Sequence, residues 1–173
     1  MSVAQFGTML LAKAKELQLD QRPIQGCTQS QIDEIKLLTG VDRFPEVYVQ
    51  FLRYFGVASG NIFPGTDIHY DSIPELKDAA ADVLEENDIN FTLPERAFVF
   101  LVHQGYAFMY FMLDEETDDP PVFKWSEDDF SEPYLYKDGP IKEWNHLSEV
   151  LTDFILIKEG EQAQRQFLED VFR

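Results

Sequence analysis

The chain has very little of what soft metals and redox chemistry use: one cysteine, Cys27, and three histidines in 173 residues. A lone cysteine excludes an internal disulfide. His69, His103 and His146 stand far apart without H-x-x-x-H spacing, so no zinc site is expected. Long apolar runs are also missing. A membrane-spanning helix needs about 20 apolar residues, and the richest stretch, Ala97 to Leu113, is broken at its middle by His103, Gln104 and Gly105. The opening MSVAQFGTML has neither the basic start nor the small-residue cleavage site of a secretory signal, and a reduced, cytoplasmic protein is expected. Basic residues are scarce, 14 against 32 acidic, for a formal net charge of −18. That charge repels nucleic-acid phosphates and anionic membrane faces, which argues against both as partners.

Cofactor signatures are absent too. Gly56, Gly60 and Gly65 are too dispersed for a phosphate-cradling loop, and no G-K-[ST] follows them. The cluster from Asp114 to Asp119 lacks the D-x-D-x-D-G spacing and closing glutamate of a calcium loop. No metal, cofactor or catalytic residue is therefore assigned. His69 with Asp71 could in principle serve as base and orienter, but histidines at strand ends are ordinary. Cys27 reads as a partly buried thiol ahead of a helix rather than as a nucleophile.

What is present is a dense aromatic and β-branched centre. AFVFLVHQGYAFMYFML reads as two strands, each buried on both faces, reversing at Gln104-Gly105. A two-residue turn would pair His103 with Tyr106, Leu101 with Phe108 and Val99 with Tyr110, whereas a bulged turn would shift the pairing by one. Pro121 to Trp125 supplies a third strand and Tyr134 to Lys137 a weaker fourth. The alternating aromatics Phe98, Phe100, Phe108, Tyr110 and Phe111 are expected in the core rather than on a stacking platform.

Helices flank this centre. Val3 to Leu19 carries Phe6, Met9, Leu10, Ala14 and Leu17 on one face. A short helix with Ile32, Ile35 and Leu38 is capped by Thr28 with Gln31 or by Ser30 with Asp33, and ends at Gly40. Pro45 opens an aromatic helix, Val47 to Phe55. A capping box at Ser72 and Glu75 opens another, ending near Asn87, and two closing helices, Leu147 to Lys158 and Glu161 to Phe172, are separated by Gly160. No repeat or linker divides the chain, so residues 1–173 are expected to form one domain. Helices, an antiparallel meander, then helices indicate an α+β fold with a twisted sheet of about four strands.

FPEVYVQFLRYFGVASGNIFPG, HQGYAFMYFML and DPPVFKWSE resemble the aromatic helix, the glycine-turn hairpin and the third strand of the SUKH superfamily, over roughly residues 32–125. The superfamily takes part of its name from a yeast regulator of cell-wall glucan synthesis, and its bacterial members are mostly immunity proteins that neutralise toxins, often nucleases or deaminases. The resemblance implies a SUKH-like fold and a non-enzymatic, protein-binding role, with no catalytic residue to carry over.

Nuclease toxins are usually basic, and an acidic partner gains association rate through steering. The candidate partner surface is accordingly Asp114, Glu115, Glu116, Asp118 and Asp119, with Glu127, Asp128 and Asp129 around Trp125. Trp125 and Trp144 each admit two positions, exposed as an anchor or buried against the sheet. Replacing Asp118 and Asp119 by lysine is expected to slow capture of a basic partner with little change in stability. The expected function is neutralisation of a basic toxin; the alternatives are a regulatory or scaffold protein of the cell-wall type, or a small hydrolase. A second acidic run, Asp82, Glu85, Glu86 and Asp88, lies at a helix C-terminus, where it opposes the macrodipole.

Overall fold

The computed structural model describes residues 3–113, 116–127 and 135–171. After a 3-10 turn at Val3–Gln5, helix α1 (Phe6–Glu16) buries Phe6, Leu10 and Ala14, the face its spacing predicts. Pro23 and Gly26 then hold the chain extended around strand β1 (Ile24–Gln25). Helix α2 (Gln29–Thr39) starts in a capping box: the Thr28 hydroxyl accepts the Gln31 N–H at 3.3 Å, and the Gln31 side chain accepts the Thr28 N–H at 2.9 Å. Gly40, at φ 68°, closes it in the left-handed region. Pro45 caps helix α3 (Glu46–Phe55), which buries Val47, Tyr48, Phe51, Leu52 and Phe55.

Strand β2 (Ala58–Ser59) pairs with β1 in a separate two-stranded ribbon, and β3 (Thr66–Asp67) is the edge of the main sheet. A 3-10 turn at Ile73–Glu75 leads into helix α4 (Leu76–Glu86). The capping box expected at Ser72 does not form. With φ −94° and ψ −27°, Ser72 is already coiled, and its hydroxyl donates back to the His69 carbonyl at 2.8 Å instead of facing the helix.

The predicted hairpin is β4 (Ala97–His103) with β5 (Ala107–Met112), and nearly every residue of both strands is buried. Gln104 and Gly105 both take positive φ, 47° and 75°, and the Tyr106 N–H donates to the His103 carbonyl at 3.1 Å. His103 consequently faces Ala107, one residue off the two-residue-turn pairing. A second irregularity, at Phe100, restores the other register, so that Val99 does face Tyr110. Two compensating bulges let the strands twist while keeping both faces filled.

Beyond β5 lie β6 (Val122–Ser126) and β7 (Ile141–Trp144), giving one antiparallel sheet in the order β3-β4-β5-β6-β7. The fold is α+β, with five strands in the main sheet instead of about four. The expected strand near Tyr134 to Lys137 is a turn over its described part, 135–137, and the pairing with β6 falls at 141–144. Tyr136 is buried in that turn, and its backbone carbonyl accepts the Trp125 indole N–H at 3.1 Å, which fixes the segment without a ladder. The two expected closing helices are one, α5 (Leu147–Val171), running through Gly160. A helical glycine costs about 1 kcal/mol but removes no hydrogen bond, unlike proline. The Lys158–Glu161 ion pair at 2.9 Å spans it.

The centre of the core is aromatic. Tyr48 of α3 packs edge-on against Phe44, Phe98 and Phe111, with ring centroids 5.2 to 5.4 Å apart. Its hydroxyl is buried and, among the described residues, has no hydrogen-bond partner. Burial also pushes this phenol well above its ordinary pKa. Tyr48→Phe keeps the ring contacts and removes the unsatisfied group, so urea unfolding is expected to show a gain of about 1 kcal/mol. A loss would mean that the hydroxyl is bonded in solution.

Candidate functional site

Of the acidic surface, Asp114, Glu115, Asp128 and Asp129 lie outside the described residues. Glu116 and Glu127 are exposed, as the sequence leads one to expect. Asp118 and Asp119 are used quite differently from each other. The Asp118 carboxylate pairs with the Arg43 guanidinium in solvent, while its backbone carbonyl accepts the Val47 N–H at 3.0 Å, tying the loop to the first turn of α3. Asp119 caps α5 from a distance. Its carboxylate accepts the Ser148 N–H at 2.8 Å and the Ser148 hydroxyl at 2.5 Å, and the neighbouring Pro120 carbonyl accepts the Leu147 N–H at 2.7 Å. The expectation that both aspartates are mere surface charge is corrected for Asp119, since residues 118–120 join the starts of two helices.

Of the two positions open to Trp125, the structure takes the buried one, which removes it from the candidate partner surface. It is 2% exposed and stacks on Phe108 at 6.0 Å, so its area serves the core. Trp144 is half-buried, with its N–H donated to Asp153 at 2.9 Å. What sequence reasoning missed is a cleft of about 490 Å³ beside Glu116, walled by Arg43, Phe44, Pro45, Arg96, Leu113 and Thr117. Arg43 and Arg96 come from distant parts of the chain, and no local pattern announces their meeting.

The enzyme-like arrangements resolve into structure. His69 directs its Nε2 to Ser59 Oγ at 2.9 Å, not to Asp71, and Ser59 is 3% exposed, so its hydroxyl opens onto no substrate. Burial lowers the His69 pKa below 6.5, against a smaller upward pull from Asp71 and Asp67. An imidazole held neutral contributes stability that is present above the unfolded value of 6.5 and is lost as pH falls below it. His69→Gln is therefore expected to flatten the decline in urea midpoint on acidification from pH 6.5; an unchanged slope would remove His69 as a cause. Cys27 is buried, which pushes its thiol up to about 11 and leaves little thiolate near neutrality. Among the described residues no three His, Cys, Asp or Glu side chains gather as a metal-ligand set. No helix among them is long and apolar enough to cross a membrane.

A family model described as SMI1-KNR4 cell-wall matches residues 29–138. The chain belongs to this family. The matched span begins on the first residue of α2 and takes in α3, the β4–β5 hairpin and β6, the elements that carry the SUKH resemblance in the sequence. SUKH superfamily membership and a SUKH-like α+β fold follow. Helix α1, strand β1, strand β7 and helix α5 lie outside the matched residues. No curated protein matches the chain.

Proposed function

We propose that the protein is a non-enzymatic, cytoplasmic binding module that captures another protein through its acidic exterior, as an immunity protein neutralising a basic toxin. Family membership over residues 29–138 carries this reading, since protein binding is the role the family suggests. The net charge of −18 supplies the partner's chemistry: an acidic inhibitor meets a basic nuclease surface with an association rate raised about 10 to 1000-fold by steering. It also disfavours nucleic acid as the direct partner. Glu116, Asp118 and Glu127 remain the exposed described members of the candidate face, and the Arg43–Arg96 cleft opens beside them.

A regulator of cell-wall synthesis is the second reading, favoured by the description of the family itself. Stopped-flow association with a toxin domain, where one is found encoded beside this chain, tests the first over a salt series. The rate constant is expected to fall steeply as salt rises. A salt-independent rate would remove steering, and a neighbourhood without a toxin would favour the regulator.

A further inference from the structure

The proposed function leaves unused the most conspicuous charge in the fold, that of α4. Its last turn contains Glu85 and Glu86 and no basic residue, and Asp88 follows in the left-handed region at φ 55°. Carboxylates at a helix C-terminus oppose the macrodipole at about 0.3 to 1 kcal/mol each, and a left-handed non-glycine residue adds a further local cost. Folding alone would select against Glu85 and Glu86, whereas Asp88 closes the helix, with the Ile89 N–H donating to the Leu84 carbonyl at 2.9 Å. The helix's single cation, Lys77, is engaged elsewhere: its ammonium donates to the backbone carbonyls of Pro94 and Glu95 at 3.2 and 2.6 Å. Among the described residues no ion pair reaches Asp78, Asp82, Glu85, Glu86 or Asp88.

Beside these carboxylates runs an apolar depression. A cleft of about 440 Å³ lies between α4 and the 89–93 segment, floored by Ala81, Leu84, Ile89, Phe91 and Leu93, with Lys77, Asp78 and Glu85 on its rim. Lys77 and Asp78 also form the wall of a second cleft, of about 220 Å³, floored by Ile73, Pro74, Ala97 and Val99. That cleft opens onto Leu38, which is 59% exposed, next to Leu37 at 82%. Two adjoining apolar floors, edged by Asp78, Glu85 and Glu95 with Lys77 as the one cation in their linings, form a groove in which acidic residues outnumber basic ones. An anionic membrane or a nucleic acid would be repelled by it, whereas an amphipathic helix with apolar residues on one stripe and Lys or Arg along its borders satisfies floor and rim together.

We propose that the groove along α4 docks a basic amphipathic helix of the partner protein. The inference rests on the protein-binding reading and deepens it by naming a second contact, which adjoins the 116–127 face at Leu113, and the secondary structure it receives. Apolar floors supply the lifetime of the complex, and the carboxylates supply its rate and its discrimination against acidic helices.

The test uses the full chain with a synthetic helical peptide of leucine and lysine, leucines spaced i, i+3, i+4, i+7. Two comparison peptides carry the same composition scrambled, or glutamate for lysine. Backbone amide shift mapping is expected to place the leucine–lysine helix on α4, residues 89–93 and the end of α2, with neither comparison peptide binding there. Asp82→Lys with Glu85→Lys is expected to weaken binding about tenfold or more, with an unchanged melting temperature as the folding control. Ala81→Glu, which charges the floor without touching the rim, gives an independent loss. Shifts confined to residues 116–127, equal binding of the scrambled peptide, or unaltered affinity in both variants would overturn the proposal. So would self-association of the wild-type chain abolished by the same variants, which would make a second copy the occupant. If a native partner binds the α4 variants at the wild-type rate, the groove is excluded while protein binding itself stands.

Discussion

Asp119→Lys is expected to lower the free energy of unfolding by about 3 kcal/mol, while Asp118→Lys, one residue earlier, changes it by less than about 1 kcal/mol. The contrast comes from what each carboxylate touches. Asp119 holds the start of α5 through Ser148, accepting its N–H at 2.8 Å and its hydroxyl at 2.5 Å. A lysine there removes the cap and sets a positive charge against the positive end of the helix. Asp118 meets Arg43 with both side chains about half exposed, the setting in which ion pairs contribute least. Urea denaturation of the two single variants measures the difference. The same pair serves the functional question, because only Asp118→Lys can report on capture of a basic partner without unsettling α5. Equal stability of the two variants would show that the Ser148 contacts are not formed in solution.

Gly26→Ala is expected to be the most damaging small substitution in the chain, with a loss of about 4 kcal/mol or more. A β-carbon at residue 26 would lie 1.7 Å from the Arg53 carbonyl oxygen and 2.8 Å from the Tyr54 amide nitrogen. Both are backbone atoms of α3, so no rotamer change relieves the overlap, and either the helix or the 25–27 segment must move. That segment is itself bonded to the end of the same helix: the Cys27 N–H donates to the Leu52 carbonyl at 2.7 Å, and the Val57 N–H donates to the Gln25 carbonyl at 2.9 Å. Displacement would therefore break the β1 ribbon and uncap α3 together. A thermal melt of Gly26→Ala lying within a few degrees of wild type would show that the approach is looser than these distances imply.

The elements built from local chemistry were legible. Thr28, Gln31 and Gly40 mark both ends of α2 because a capping box and a left-handed glycine are short-range signals. Glycine at a reversal between two apolar runs located the β4–β5 hairpin, although the choice between its two registers depended on a bulge at Phe100 that only packing on both faces decides. Gly160 misled in the opposite direction. A glycine before a polar stretch resembles a helix end, but without proline or a left-handed turn the hydrogen-bond ladder continues into one long helix. Trp125 sits among charged neighbours in sequence, and its stacking on Phe108 with its indole N–H bonded to the Tyr136 carbonyl, not neighbour polarity, turned it inward. On the candidate site, charge was readable and placement was not: the sequence could count the aspartates but could not distinguish the one facing Arg43 from the one clasping Ser148.

Composition and periodicity by themselves determined an acidic α+β chain whose twin apolar strands lie at its centre, because burial is dictated by side-chain chemistry repeated at the period of each element. Tertiary structure alone decided the five-strand order, the role of Asp119 and the meeting of Arg43 with Arg96. Each of these depends on atoms distant along the chain coming within a few ångströms, and contact of that kind leaves no mark in local sequence spacing.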